Sequence, residues 1–132
     1  MYHRALNYIG IARKGGAVEI GEERVHALVK SGAARLMVVA SDSSPGAKRR
    51  AEGYVFGTAT PLAEVPFTKQ EISEIAGKAG CSMLAFRDLG LASGFADALA
   101  AEYGESYQEL SDTLRAKQEK LGRKKGKRRK SE

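Results

Sequence analysis

One cysteine, three prolines and no tryptophan occur in the 132 residues of this chain. The lone thiol, Cys81, has no internal partner, which excludes a disulfide framework and implies a reducing, cytosolic (cytoplasmic) setting. No apolar run approaches the roughly 18 residues of a membrane span. The opening MYHRALNYIGIARKGG lacks the long apolar core and small-residue cleavage site of a secretory signal. His3, His26 and Cys81 show neither HxxxH nor CxxC spacing, so no metal site is expected and the thiol reads as a small buried hydrophobe. Phosphate-loop, GxGxxG and GxSxG signatures are missing too, so neither a cofactor nor catalysis is expected. Most of the chain also lacks net charge: residues 1–114 hold 12 basic and 14 acidic side chains.

What is present lies at the other end. Ten of the sixteen residues 115–130 are basic: Arg115, Lys117, Lys120, Arg123, Lys124, Lys125, Lys127, Arg128, Arg129 and Lys130, with Glu119 the one acid among them. The formal charge of +6 is therefore a property of the tail. A dense cationic arm on a near-neutral body suits a polyanion such as RNA, DNA or an acidic membrane face. Ten cations exceed what a solubilising end requires. Each phosphate engaged steepens the salt dependence of binding by about 0.7–0.9 in log K versus log salt. Phosphate contacts position a nucleic acid and do not by themselves select its sequence.

The body is one small domain of about 100 residues, large enough to bury a core unaided. Residues 2–13 place Ala5, Leu6, Ile9 and Ala12 at helical spacing and stop at Gly15-Gly16. AVEI (17–20) is compatible with a strand. Gly21 opens a second helix with Glu22 and Glu23 in its first turn and Val25, Leu28 and Val29 as its inner stripe. ARLMVVAS (34–41) reads as a buried parallel strand. Ser44-Pro45 starts a third helix, through Tyr54. LAEVPF (62–67) is a strand that Pro66 pushes to a sheet edge. Thr68 and Glu71 have capping-box spacing for a helix over 69–78. SMLAFRD (82–88) is a further strand, and a helix near 91–103 buries Leu91, Phe95 and Leu99. Ser106 and Glu109 repeat the capping-box spacing and open a last helix. The alternation predicts a three-layer α-β-α sandwich with a four-stranded mixed sheet over 1–104, a C-terminal helix over 105–122 and a disordered basic tail over 123–132.

At GIARKGG, IGEERVHALVKSG and ARLMVVASD, and again at Phe86-Arg87-Asp88 before Gly90, the chain resembles the kink-turn-binding ribosomal-protein superfamily, in particular its bacterial YlxQ branch. That resemblance runs from about Leu6 to Ala98. It implies the same sandwich and RNA binding without catalysis. Kink-turn binders open the recognition helix with Gly-x-Asn-Glu and a lysine three residues on; here those positions are Gly21, Glu23, Arg24 and Ala27, so the glycine alone matches. The YlxQ branch tends toward Gly-Glu-Glu, which Gly21, Glu22 and Glu23 reproduce.

The candidate RNA contacts in the body are Arg13, Lys14, Gly21, Glu22, Glu23, Arg24 and Lys78. A helix N-terminus behind a glycine is a phosphate site, or else an ordinary tight strand-to-helix turn. Glu22 and Glu23 repel phosphate but can accept from base amino groups. Arg13 and Lys14 are phosphate contacts beside Gly21 or cations complementing the end of the first helix. Lys78 lies in a loop corresponding to one with which relatives contact RNA. Lys30 and Lys48-Arg49-Arg50 read as solvated helix faces, and Tyr54, Phe56, Tyr103 and Tyr107 as packing. The expected partner is structured or ribosomal RNA, the expected role is in translation, and the expected state is a monomer. The alternative is a protein-interaction module for a ribosome-associated or transcription–translation factor, tethered by the tail.

Overall fold

The computed structural model of the chain describes residues 4–79 and 81–130, with side chains as far as Leu121. Its sheet is built around β2 (Leu36–Val39) and β4 (Met83–Phe86), each buried along its whole length. Side chains of a strand alternate between faces, and here both faces are apolar. Leu36, Val38, Leu84 and Phe86 join one core cluster; Met37, Val39, Met83 and Ala85 join a second on the other face. Two apolar faces require two covering layers, so the three-layer sandwich follows from these eight residues.

The strand order is β1 (Val18–Ile20), β4, β2, β3 (Leu62–Glu64). β4 runs antiparallel to both neighbours, whereas β2 and β3 are parallel. The sheet is therefore mixed, and β3 is an edge strand, with Pro66, which lacks an N–H, beyond its end. One face is covered by α1 (Arg4–Lys14), α4 (Lys69–Ala76), α5 (Leu89–Tyr103) and α6 (Gln108–Lys130), the other by α2 (Glu22–Lys30) and α3 (Pro45–Val55). α1 crosses α5 closely: a Cβ at Gly94 would stand 2.5 Å from the Tyr8 ring.

Local chemistry sets the helix starts. Ser44 Oγ accepts the Ala47 N–H at 3.1 Å, with Pro45 in the first turn of α3. Thr68 and Glu71 form the reciprocal capping box of α4. Asp88 accepts the Leu91 N–H at the start of α5. The expected box at Ser106 is not formed. Glu105–Tyr107 make a 3₁₀ turn after Gly104, and α6 begins only at Gln108. Phe56, expected to pack, is 88% exposed beyond the end of α3.

α6 lies antiparallel on α5. Leu114 is fully buried against it, and Ser111 hydrogen-bonds Asp97. The sequence places disorder from Arg123 onward; the backbone carries α6 to Lys130, and the side chains beyond Leu121 lie outside the described residues. Lysine and arginine are good helix formers, so this run is locally compatible with helix except at Gly122 and Gly126, each costing about 1 kcal/mol against alanine.

Candidate nucleic-acid interface

The N-termini of α2, α3 and α4 gather at one end of the sheet, where β1, β2 and β3 finish and β4 begins. Gly21 N–H donates to Met83 O at 3.1 Å, Ala40 N–H to Ser82 O at 2.9 Å, and Ser41 N–H to Phe67 O at 2.9 Å. Asp42 accepts the Lys69 N–H at 2.8 Å, tying the approach to α3 to the start of α4. Between α3 and α4 lies a cavity of about 540 Å³, with Arg50 and Lys69 in its wall beside Ser44, Ser73 and Ser82.

α2 differs from α3, α4 and α5 in having no side-chain cap. Gly21 takes its capping position with φ 104°, a left-handed value that suits glycine and strains a residue with a Cβ. An uncapped helix start presents backbone N–H groups and the positive end of the helix dipole, which together favour an anion.

Of the two acids there, Glu22 is already engaged. Its carboxylate accepts from Arg50 Nε–H at 2.6 Å and Nη2–H at 3.0 Å, and from the Tyr54 hydroxyl. The Arg50 hydrogen bond, then that of Tyr54, hold the Glu22 carboxyl below its ordinary range against an opposing effect of burial. The same contact with Glu22 raises the Arg50 guanidinium and the Tyr54 phenol. His26, one turn along α2, stacks on Tyr54 with ring centroids 4.0 Å apart. Glu23 is exposed and makes no ion pair among the described residues.

The other predicted residues divide. Arg13 is not joined to Gly21 by any described contact. Its guanidinium instead lies over Gly77, where a Cβ would be 2.8 Å from Nη2. It therefore belongs to the end of α4, next to Lys78. Lys78 is exposed, and its carbonyl accepts from the Cys81 thiol at 3.1 Å. Lys14 is exposed without an ion pair among the described residues. Arg24 faces Glu19 at 3.7 Å, and Arg87 shares that carboxylate at 3.0 Å, which diverts Arg24 toward the β1 edge.

The first tail cations fold onto the body. Arg115 pairs with Asp97 at 3.0 Å, and Lys117 donates to Ala59 O at 2.7 Å. Gln118 approaches Gly90, at the start of α5. α6 therefore passes the end of the sheet opposite Gly21, and the basic run continues from there. Lys120 is exposed; the side chains of Arg123, Lys124, Lys125, Lys127, Arg128, Arg129 and Lys130 lie outside the described residues.

No protein-family model matches the chain. The RNA-binding protein YlxQ of Enterococcus faecium is 31% identical over 75 residues, which span 57% of this chain and 72% of that protein. The chain belongs to the YlxQ family. Two solved structures share its fold. A protein of unknown function from Bacillus halodurans superposes with a TM-score of 0.69 at 21% identity, covering 74% of this chain and 98% of its own. The 15.5 kD RNA-binding protein of Giardia lamblia gives 0.62 at 15% identity, covering 74% and 83%.

In this member of the YlxQ family, sequence reasoning misses three residues that shape the α2 end. It assigns Arg50 to a solvated face and Tyr54 to the core, and it weighs His26 only as a metal ligand. Their meeting depends on the packing of α2 against α3, and their spacing in the chain gives no sign of it. Among the described residues no group of His, Cys, Asp and Glu is placed to hold a metal ion, and no helix is long and apolar enough to cross a membrane.

Proposed function

We propose that the chain is a non-enzymatic, cytoplasmic RNA-binding protein, acting as a monomer in translation. It would grip structured or ribosomal RNA with the α2 end of its sandwich and strengthen that grip through its basic tail. The observation that carries this reading is the uncapped start of α2 at Gly21, at the same end of the sheet as the Lys78 loop, with the charge of Glu22 already taken up by Arg50. A phosphate entering there meets backbone N–H groups and nearby cations and faces Glu23 as the uncompensated acid. The E. faecium relative, named an RNA-binding protein, supports the same ligand class.

The test is a titration of two hairpins, one carrying a kink-turn, against the chain and a Lys14→Glu/Lys78→Glu variant at two salt concentrations. The proposal expects structure-selective binding by the chain and its loss in the variant. Equal binding of every RNA, unaltered by the substitutions, would leave the sandwich without a reading role. That outcome favours the second reading, a protein-interaction module for a ribosome-associated or transcription–translation factor. Glu23, Arg24 and Ala27 support this alternative, because they stand where kink-turn binders carry Asn, Glu and Lys.

A further inference from the structure

The opposite end of the sheet holds a half-open cavity of about 470 Å³, within the roughly 300–1,000 Å³ span of small-molecule sites. Its walls include Val29, Ala34, Leu89 and Leu121. Among the described residues three cations line it, Arg35, Lys117 and Lys120, and no acid does. That imbalance sets it apart from the other described cations on the sandwich that carry ion pairs. Arg24 and Arg87 face Glu19, Lys48 faces Glu64, Arg50 faces Glu22, and Arg115 faces Asp97. Arg35 and Lys120 are exposed with no ion pair among the described residues. Lys117 donates to Ala59 O, and an ammonium retains two further donors.

We propose that this cavity is a second binding site, which takes an unstacked nucleotide from a single-stranded RNA segment. The inference rests on the RNA-binding reading above and adds a second contact at the other end of the body. Apolar walls suit the flat face of a base. Thr60 gives its hydroxyl hydrogen to Ala34 O at 3.2 Å and keeps lone pairs that can accept from a base amino group. The cations on the rim then meet the flanking phosphates. Continuity of charge decides for a strand over a free mononucleotide: Leu121 lines the cavity, and Arg123 begins the densest part of the basic run two residues later. A strand leaving the cavity would pass directly onto that arm. α2, with nine residues at about 1.5 Å each, separates this site from Gly21 by roughly 13 Å. One chain can thus hold a structured element at one end and a single strand at the other.

The experiment follows amide shifts of the full, ¹⁵N-labelled chain on adding tetrauridylate, and separately on adding the structured hairpin. Tetrauridylate is expected to move Gly32, Arg35, Ala59 and Thr60 saturably. An Arg35→Glu variant should weaken that effect by about fivefold or more, since the reversed cation removes a phosphate contact and adds a repulsion. The hairpin should move residues 21–24 equally in both proteins, which also shows that the variant is folded. Tetrauridylate shifts confined to residues 21–24, or unchanged in the variant, would overturn the second site and leave the first reading intact. Shifts at Gly32 and Thr60 with a short polyglutamate peptide, but none with tetrauridylate, would overturn RNA as occupant in favour of an acidic protein segment. A hairpin that moves nothing at residues 21–24, while tetrauridylate moves Thr60, defeats the first reading and supports the second site.

Discussion

Glu22 and Arg50 face each other across α2 and α3 as a two-point pair, with Nε and Nη2 of the guanidinium 2.6 and 3.0 Å from the two carboxylate oxygens. The planar fork of arginine matches a carboxylate in this way and a lysine does not. An acid at the start of a helix offered as an anion site is an obstacle; the same acid held by an arginine from the next helix is a strut. The pair fixes how α2 meets α3 and keeps one negative charge from standing open at the α2 start.

Substituting either partner should therefore move RNA affinity in opposite directions. Arg50→Ala leaves the Glu22 carboxylate uncompensated and should weaken binding of a structured hairpin by about three- to tenfold at low salt. Glu22→Gln releases the guanidinium and should strengthen binding. Both effects should shrink as salt rises, because the pair is partly exposed. Filter-binding titrations at two ionic strengths check this; a change of the same sign in both variants would refute it.

The same pair makes a pH prediction. The folded Glu22 carboxyl sits below its ordinary value of 4.5, mainly because of Arg50 and then Tyr54. A depressed carboxyl contributes stability that is present above the unfolded value and is lost as pH falls through the folded one. The difference in urea midpoint between the chain and Glu22→Gln should thus be steady near neutrality and shrink as pH drops below 4.5. A difference that stays constant down the acid limb would mean that the pair does not hold in solution.

Gly94 gives a stability prediction independent of RNA. A Cβ there would stand 2.5 Å from Cε1 and 2.8 Å from Cζ of Tyr8, so Gly94→Ala must push the ring or separate α1 from α5. Overpacking of this kind costs about 1–3 kcal/mol. For a domain of this size that lowers the melting temperature by roughly 4–8 °C per kcal/mol. Combining it with Tyr8→Ala should recover part of the stability, and a double-mutant cycle by urea denaturation measures the coupling.

The elements of the sandwich are legible in the sequence because they are local. Gly15-Gly16, Ser44-Pro45 and the Thr68–Glu71 box each announce a boundary within four residues, and the apolar runs at 34–41 and 82–88 declare strands buried on both faces. Ser106 misleads because Gly104, with φ 88°, turns the chain into a 3₁₀ segment before α6 can start. Phe56 misleads because composition cannot tell which aromatic lies beyond the end of its helix. The site is less legible. Gly21 is marked by its place before Glu-Glu, but the compensation of Glu22 spans 28 residues and the cavity at Arg35 joins chain segments from Val29 to Leu121. Such juxtapositions arise from packing and leave no periodic trace.

The tail is a single basic run in the sequence, yet it has two parts with different consequences for truncation. Arg115, Lys117 and Leu121 lie where α6 packs on the body, through Asp97, Ala59 and the cavity wall, and seven further cations follow among residues 123–130. Ending the chain after Leu121 keeps those contacts and the buried Leu114, so the melting temperature should hold. It should lower the salt slope of RNA binding by about 0.7–0.9 for each phosphate no longer engaged, or roughly 4–5 if six of the cations bind. Ending it after Leu110 removes Ser111 and the fully buried Leu114, and should destabilise the body by about 2–5 kcal/mol, the range for emptying a core leucine site. Thermal denaturation separates the two truncations, and binding across a salt series reads the slope. A salt slope that is unchanged without residues 123–132 would show that the arm does not touch RNA, and the affinity would then belong to the sandwich alone.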